Sequence, residues 1–115
     1  MTSYDLEQRS TDDPSLVVVD VAGELDLTNA PEVEERLVAI VDAGSPRLVL
    51  DLNRLLFIDS AALHVLFRIA RRLGKDRFGL VLQPNAAIAR TLAIVGISEV
   101  AQICETPDGL APPTA

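Results

Sequence analysis

The chain has 115 residues, which suits one domain, and 49% of them are hydrophobic, enough for a packed core. Its formal net charge of −7 argues against binding to nucleic acid or to an anionic membrane, because both need clustered Lys and Arg. The chain has one cysteine, Cys104, and no apolar run near the ~20 residues that span a bilayer. Its first residues lack the basic start and apolar stretch of a signal peptide, so we expect no signal peptide and a cytoplasmic protein.

Hydrophobic periodicity and turn residues predict the secondary structure. In chain order we expect an edge strand at 4–9, a strand at 16–22, a helix from Thr28 or Asn29 to Gly44, a strand at 48–52, a helix at 60–73, a strand at 78–82, a helix at about 85–95 and a short strand at 100–103. The run at 48–52 is almost wholly apolar, which predicts burial on both faces. Alternating strands and helices predict a mainly parallel sheet. A disordered tail is expected at 105–115, which contains Pro107, Pro112 and Pro113.

The helix at 60–73 begins where an apolar run ends in Asp59 and Ser60. Serine is a favoured N-cap, worth about 1 kcal/mol, so capping alone explains Ser60 and is the simpler interpretation on spacing. The first N–H groups of a helix lack partners and carry partial positive charge, so a phosphate is also welcome there. Asp59 has an equally plain interpretation as an acidic residue at a helix start.

Two motifs resemble the STAS family, the domain shared by sulfate transporters and anti-sigma-factor antagonists. They are GELDLTNA at 23–30 and LVLDLNRLLFIDS at 48–60, followed by the apolar helix. The likeness runs over about residues 17–103 and implies an α/β STAS domain at 1–104. It also implies a mixed, mainly parallel sheet of four or five strands, an antiparallel edge and helices mostly on one face. A free-standing chain of this size resembles an anti-sigma-factor antagonist.

The resemblance also implies a mechanism and a set of site residues. In that family a partner anti-sigma kinase phosphorylates the serine after the aspartate, which here is Ser60. The unphosphorylated domain would bind that kinase and release a sigma factor, phosphorylation would end the complex, and a phosphatase would reset it. The implied partner surface comprises Gly23, Glu24, Asp26, Asp59, Ser60, Ala61 and His64.

Some residues depart from the family pattern and keep an alternative open. Ala61 and Ala62 stand where the family commonly has Ser-Gly, and His64 stands where a small residue is usual. Added bulk at Ala62 and His64 would hinder close approach by a partner. The alternative function is therefore a non-switching STAS subunit that docks on a transporter ATPase. His64, one turn after Ser60, is also able to pair with a phosphoserine, although an exposed histidine needs no special role.

No catalytic set is visible in the sequence. It has neither a GxxxxGK[ST] nor a GxGxxG phosphate loop, and one histidine with one cysteine suggests neither a metal cluster nor a catalytic pair. We therefore expect no enzymatic activity, no cofactor and no metal, and a nucleotide-binding protein is the weakest hypothesis.

Without the resemblance, several charged and polar residues have plain structural interpretations. Glu24 and Asp26 are then an acidic turn, Thr28 is a helix cap, and Arg68, Arg71 and Arg72 form a solvated helix face. A monomer or weak dimer is expected.

Overall fold

The chain folds into one five-stranded sheet with three α-helices. The computed structural model describes residues 3–9, 11–44 and 47–106. The strands are β1 (Tyr4–Arg9), β2 (Leu16–Leu25), β3 (Arg47–Ile58), β4 (Phe78–Val81) and β5 (Gln102–Cys104). The helices are α1 (Ala30–Asp42), α2 (Ser60–Leu73) and α3 (Ala89–Ile94), with short 3₁₀ turns at Lys75–Arg77 and Ile97–Glu99. Most of the tail expected at 105–115 lies outside the described residues.

The sheet confirms the predicted mixed, mainly parallel topology. Its strand order is β1-β2-β3-β4-β5, with β1 antiparallel to β2 and every other neighbouring pair parallel. Each helix is a crossover between two consecutive parallel strands, as parallel pairing requires. None of the helices within the described ranges is long and apolar enough to cross a membrane.

The core lies mainly between the helices and one face of the sheet. Alternate residues of β2 and β3, such as Val19 and Leu50, pack there with Leu37 of α1 and Leu66 of α2. The other face carries a smaller apolar cluster of Leu16, Val18, Val49, Val81 and Cys104. In β3, Leu48, Val49, Leu50 and Leu52 are all 0% exposed, which confirms the prediction that this strand is buried on both faces.

Ion pairs join α1 to α2 on the outer side of the helical layer. Arg68 donates two hydrogen bonds to the carboxylate of Glu34, at 2.6 and 2.9 Å, and these bonds hold the pKa of Glu34 below its usual range. Arg72 donates one hydrogen bond to the carboxylate of Asp42. Two of the three arginines expected on a solvated face therefore bridge α2 and α1.

Several element bounds differ from those predicted. β2 continues to Leu25 and β3 to Ile58, because the two strands go on pairing beyond residues 22 and 52. Gly23 and Glu24 thus belong to a strand, and the interpretation of Glu24 as part of an acidic turn is wrong. The third helix begins only at Ala89, since turns occupy the residues after Pro84, and the last strand begins at Gln102, after a 3₁₀ turn.

Glycine is required at position 23, where β2 pairs with the first residue of β1. It has φ +93°, and a Cβ placed there would collide with the Ser3 carbonyl oxygen and lie 3.0 Å from Cα of Tyr4. The same Ser3 oxygen accepts a hydrogen bond of 2.9 Å from the N–H of Glu24. The glycine therefore allows β1 to approach β2 closely at this point.

We predict that Gly23→Ala lowers the free energy of unfolding by about 2–3 kcal/mol, because left-handed strain and a backbone collision add together. Gly44→Ala is a matched control, since Gly44 also has positive φ, at +102°, but no atom lies within 4 Å of its Cβ position. That control is expected to lose about 1 kcal/mol from strain alone. Urea unfolding measures both values, and equal losses would contradict a role for the close approach.

Candidate functional site

The carboxyl ends of β2 and β3 lie side by side, since Leu25 pairs with Ile58. The chain leaves β2 through a turn at residues 26–29 into α1, and it leaves β3 through Asp59 into α2. Both helices therefore begin at the same edge of the sheet. This arrangement brings the turn and the start of α2 together, although more than thirty residues separate them in sequence.

Asp59, not Ser60, is the N-cap of α2. Its backbone is extended, and its carboxylate accepts a hydrogen bond of 3.1 Å from the N–H of Ala62. The second carboxylate oxygen accepts a bond of 3.0 Å from the N–H of Leu27. The prediction that Ser60 caps the helix is wrong, because aspartate caps as well as serine does and lies one residue earlier. Asp59 thus holds the helix start and the turn together.

Ser60 is the first residue of α2, and its side chain is exposed. Within the described residues, its hydroxyl has no hydrogen-bond partner, and the backbone N–H groups of Ser60 and Ala61 have no acceptor. Of the N–H groups in the first turn of α2, the Asp59 side chain accepts only that of Ala62. The hydroxyl therefore lies in solvent beside two unpaired helix N–H groups, at the positive end of the helix dipole.

The turn at 26–29 is held by its own side chains. Asn29 is only 7% exposed; its amide donates to the Glu24 carbonyl at 2.9 Å, and its side-chain oxygen accepts from the N–H of Asp26 at 3.0 Å. Asp26 in turn accepts from the N–H and the hydroxyl of Thr28. Thr28 therefore does not cap α1, and Asn29 occupies the cap position without a side-chain cap bond. Leu27 is held at the tip of this rigid turn.

Sequence reasoning missed three exposed apolar residues at the ends of β2 and β3, two among the last residues of β3 and one in the turn that follows β2. Leu27 is 71% exposed, Leu56 67% and Phe57 47%. Gly23 pairs with Leu55 and Glu24 with Phe57, so Leu56 is an extra residue in a β-bulge, which breaks the alternation of inward and outward side chains. We call Leu27, Leu56 and Phe57 the apolar rim. Only the apolar run before Asp59 hinted at it, since neither the bulge nor the position of Leu27 can be read from local sequence.

The predicted site residues occupy three different settings. Asp26, Asp59, Ser60 and Ala61 meet at the shared edge of the sheet, whereas Gly23 and Glu24 lie back along β2. His64 is exposed one turn along α2. Ala62, by contrast, is 1% exposed and packs in the core, so the expectation that its bulk hinders a partner is wrong.

No group of three or more His, Cys, Asp or Glu side chains suited to a metal ion occurs in the described part of the chain. Cys104 lies buried at the end of β5, and burial raises the pKa of its thiol. A thiol with a raised pKa is a poor nucleophile at neutral pH. The thiol of Cys104 is thus buried, whereas the hydroxyl of Ser60 is exposed.

We predict that Asp59→Ala lowers the free energy of unfolding by about 1–2 kcal/mol, because the N–H groups of Ala62 and Leu27 lose their acceptor. Asp59→Asn keeps one side-chain oxygen and is expected to lose less. Urea unfolding of both variants tests this. A loss for Asp59→Ala no larger than that for Asp42→Ala, which removes only an exposed ion pair, would contradict the role assigned to Asp59.

A model of the STAS domain matches residues 6–109. Among proteins similar in sequence is BtrV of Bordetella bronchiseptica, which is named as a proposed anti-sigma factor antagonist. It is 39% identical to this chain over 67 residues. That match spans 58% of this chain and 58% of BtrV, little more than half of either. RsfB of Mycobacterium tuberculosis, an anti-sigma-F factor antagonist, is 26% identical over 96 residues, or 83% of this chain and 78% of RsfB.

Solved structures share the fold. An anti-sigma factor antagonist from Mycobacterium paratuberculosis has a TM-score of 0.79 and 31% identity, covering 92% of this chain and 89% of that one. SpoIIAA of Bacillus has TM-scores of 0.66 unphosphorylated and 0.60 phosphorylated. These two forms are 19% and 18% identical, cover 89% of this chain and 88% and 91% of SpoIIAA, and show the fold alone. With the family model matching most of its length, the chain belongs to the STAS domain family.

Proposed function

We propose that the protein is an anti-sigma-factor antagonist switched by phosphorylation of Ser60. With its hydroxyl bare, the domain binds an anti-sigma factor that is also a serine kinase, and a sigma factor is released. Phosphorylation by that kinase in the cytoplasm ends the complex, and a phosphatase restores it. The relatives named as antagonists support the general role. The observation that carries the switch is the exposed, unbonded hydroxyl of Ser60 at the first residue of α2.

The fold is suited to carry a phosphate at this position. Phosphorylation adds about −1.5 to −2 charges at neutral pH, and the helix start offers positive dipole and the unpaired N–H groups of Ser60 and Ala61. The same fold is known in SpoIIAA with and without phosphate. Modification of Ser60 is therefore expected to change the surface and to leave the domain folded.

The apolar rim explains why a phosphate would end the complex. A partner that covers Leu27, Leu56 and Phe57 removes water from the surface around Ser60. A phosphate dianion at the edge of such an interface loses hydration that apolar contacts do not replace. The carboxylate of Asp59, next in the chain, adds repulsion to any further acidic group. The partner is thus released for two reasons: the phosphate loses its hydration in the interface, and its charge repels acidic groups nearby.

The alternative of a non-switching subunit on a transporter ATPase has less support. It was suggested by the departures at Ala61, Ala62 and His64. Ala62 packs in the core and does not face a partner, which removes one of the three. The exposed hydroxyl of Ser60 is also unexplained by a role without modification.

We predict that the cognate anti-sigma kinase, an ATPase, adds one phosphate to the wild-type protein and none to Ser60→Ala. Ser98→Ala is the control, since Ser98 is exposed near α3, away from the start of α2, and is expected to be modified like wild type. Intact-mass spectrometry after incubation with ATP gives the result. Ser60→Asp is expected to bind the same ATPase at least about tenfold more weakly. Equal phosphate on wild type and Ser60→Ala would refute the site.

We predict that the double variant Leu56→Ala/Phe57→Ala binds this ATPase at least about tenfold more weakly, since a partner that covers these side chains removes their apolar surface from water. Its free energy of unfolding is expected to fall by about 1 kcal/mol, mainly at Phe57, because Leu56 is 67% exposed and Phe57 only 47%. Ile94→Ala removes an apolar side chain that is 74% exposed on α3 and is expected to bind normally. Isothermal titration calorimetry compares them, and equal affinities of all three proteins would exclude the rim as the contact surface.

A further inference from the structure

We propose that His64 is a built-in counter-ion for a phosphate on Ser60, and that it makes the phosphorylated state sensitive to pH near neutrality. The inference rests on the proposed phosphorylation of Ser60 and adds a second residue to its regulation.

Ser60 and His64 lie one turn apart on the exposed side of α2. Residues four apart on a helix are neighbours, with Cβ atoms about 5–6 Å from each other. Side chains on a helix tilt toward its N-terminus, so the imidazole of His64 leans toward the Ser60 position. Neither side chain has a hydrogen-bond or ion-pair partner among the residues that the structure describes. Both are thus available to each other.

The other cations of α2 are engaged or distant. Arg68 is bound to Glu34 and Arg72 to Asp42. Arg71 lies eleven residues after Ser60, or about 16 Å along the helix axis. The sequence of α2 contains no Asp or Glu, so the helix itself offers no carboxylate that competes for the imidazolium. His64 is therefore the cation on this helix that reaches a phosphate at its start.

The charged groups on neighbouring elements are mostly committed elsewhere. The Asp59 carboxylate accepts N–H groups of Ala62 and Leu27, Asp26 accepts from Thr28, and Glu34 is held by Arg68. Other charged residues on these elements include Arg54 in β3, Glu24 in β2, and Glu32, Glu35 and Arg36 in α1. A phosphate on Ser60 would therefore be the strongest new charge near His64.

The pair needs a protonated imidazole and an ionised phosphate. Free histidine titrates near pH 6.5 and the second proton of a phosphoserine near pH 6, so both charged forms are abundant only around pH 6–7. Pairing favours both charged forms. The interaction is accordingly lost as pH rises and the imidazole gives up its proton. It weakens as pH falls and the phosphate gains a proton.

The test uses the full chain with phosphoserine encoded genetically at position 60, so no kinase is needed. NMR titration from pH 5 to 9 follows the imidazole protons of His64 and the phosphorus resonance. We expect the His64 midpoint to rise by about 0.5–1 unit over that of the unmodified protein, a moderate shift because the pair is exposed. In His64→Gln the phosphate midpoint is expected to rise, and in the control Arg71→Gln to stay unchanged.

An identical His64 midpoint with and without the phosphate would overturn the pairing, as would a phosphate midpoint that does not respond to His64→Gln. His64 is exposed, so the variant is expected to fold, and its urea unfolding curve verifies this. Because the phosphate is supplied without a kinase, failure of this pair and failure of the proposed switch are read from separate experiments.

Discussion

The site depends on the two hydrogen bonds that the carboxylate of Asp59 accepts. Its two oxygens serve two segments, the start of α2 through Ala62 and the turn after β2 through Leu27. One side chain can do this because β2 and β3 are parallel neighbours and end together. Since Asp59 caps the helix, the hydroxyl of Ser60 is not needed as a cap. The Ser60 hydroxyl is thereby left exposed to solvent and is not used for a capping hydrogen bond.

The β-bulge at Leu56 determines the character of the surface around that hydroxyl. One extra residue in β3 turns an apolar side chain outward in a strand whose earlier part is fully buried. The outward side chain of Leu56 and that of Leu27 add exposed apolar surface to the edge of the sheet where Asp59 and Ser60 lie. The two settings respond differently to a phosphate, because the helix start accepts negative charge while a water-excluding contact does not. The proposed phosphorylation would thus leave the domain folded and weaken a partner's hold on the covered surface.

The residues of the two motifs, at 23–30 and 48–60, have separate physical tasks. Gly23 allows β1 to approach β2, Asp26 and Asn29 hold the turn, and Ser60 stays accessible. The core and the α1–α2 ion pairs lie apart from these groups. Substitutions at the exposed positions therefore change binding with little effect on folding, whereas Gly23 and Asp59 act on stability first.

The sequence by itself determined the fold class, the order of the elements, the buried strand and the start of α2. Hydrophobic periodicity and local breakers such as Gly74 carry that information within a few residues. Only the tertiary structure decided that β2 and β3 continue to Leu25 and Ile58, that Asp59 caps α2, and that Leu27 lies beside it. These features depend on strand register, on a bulge and on a hydrogen bond between residues 32 apart, none of which has a local signal.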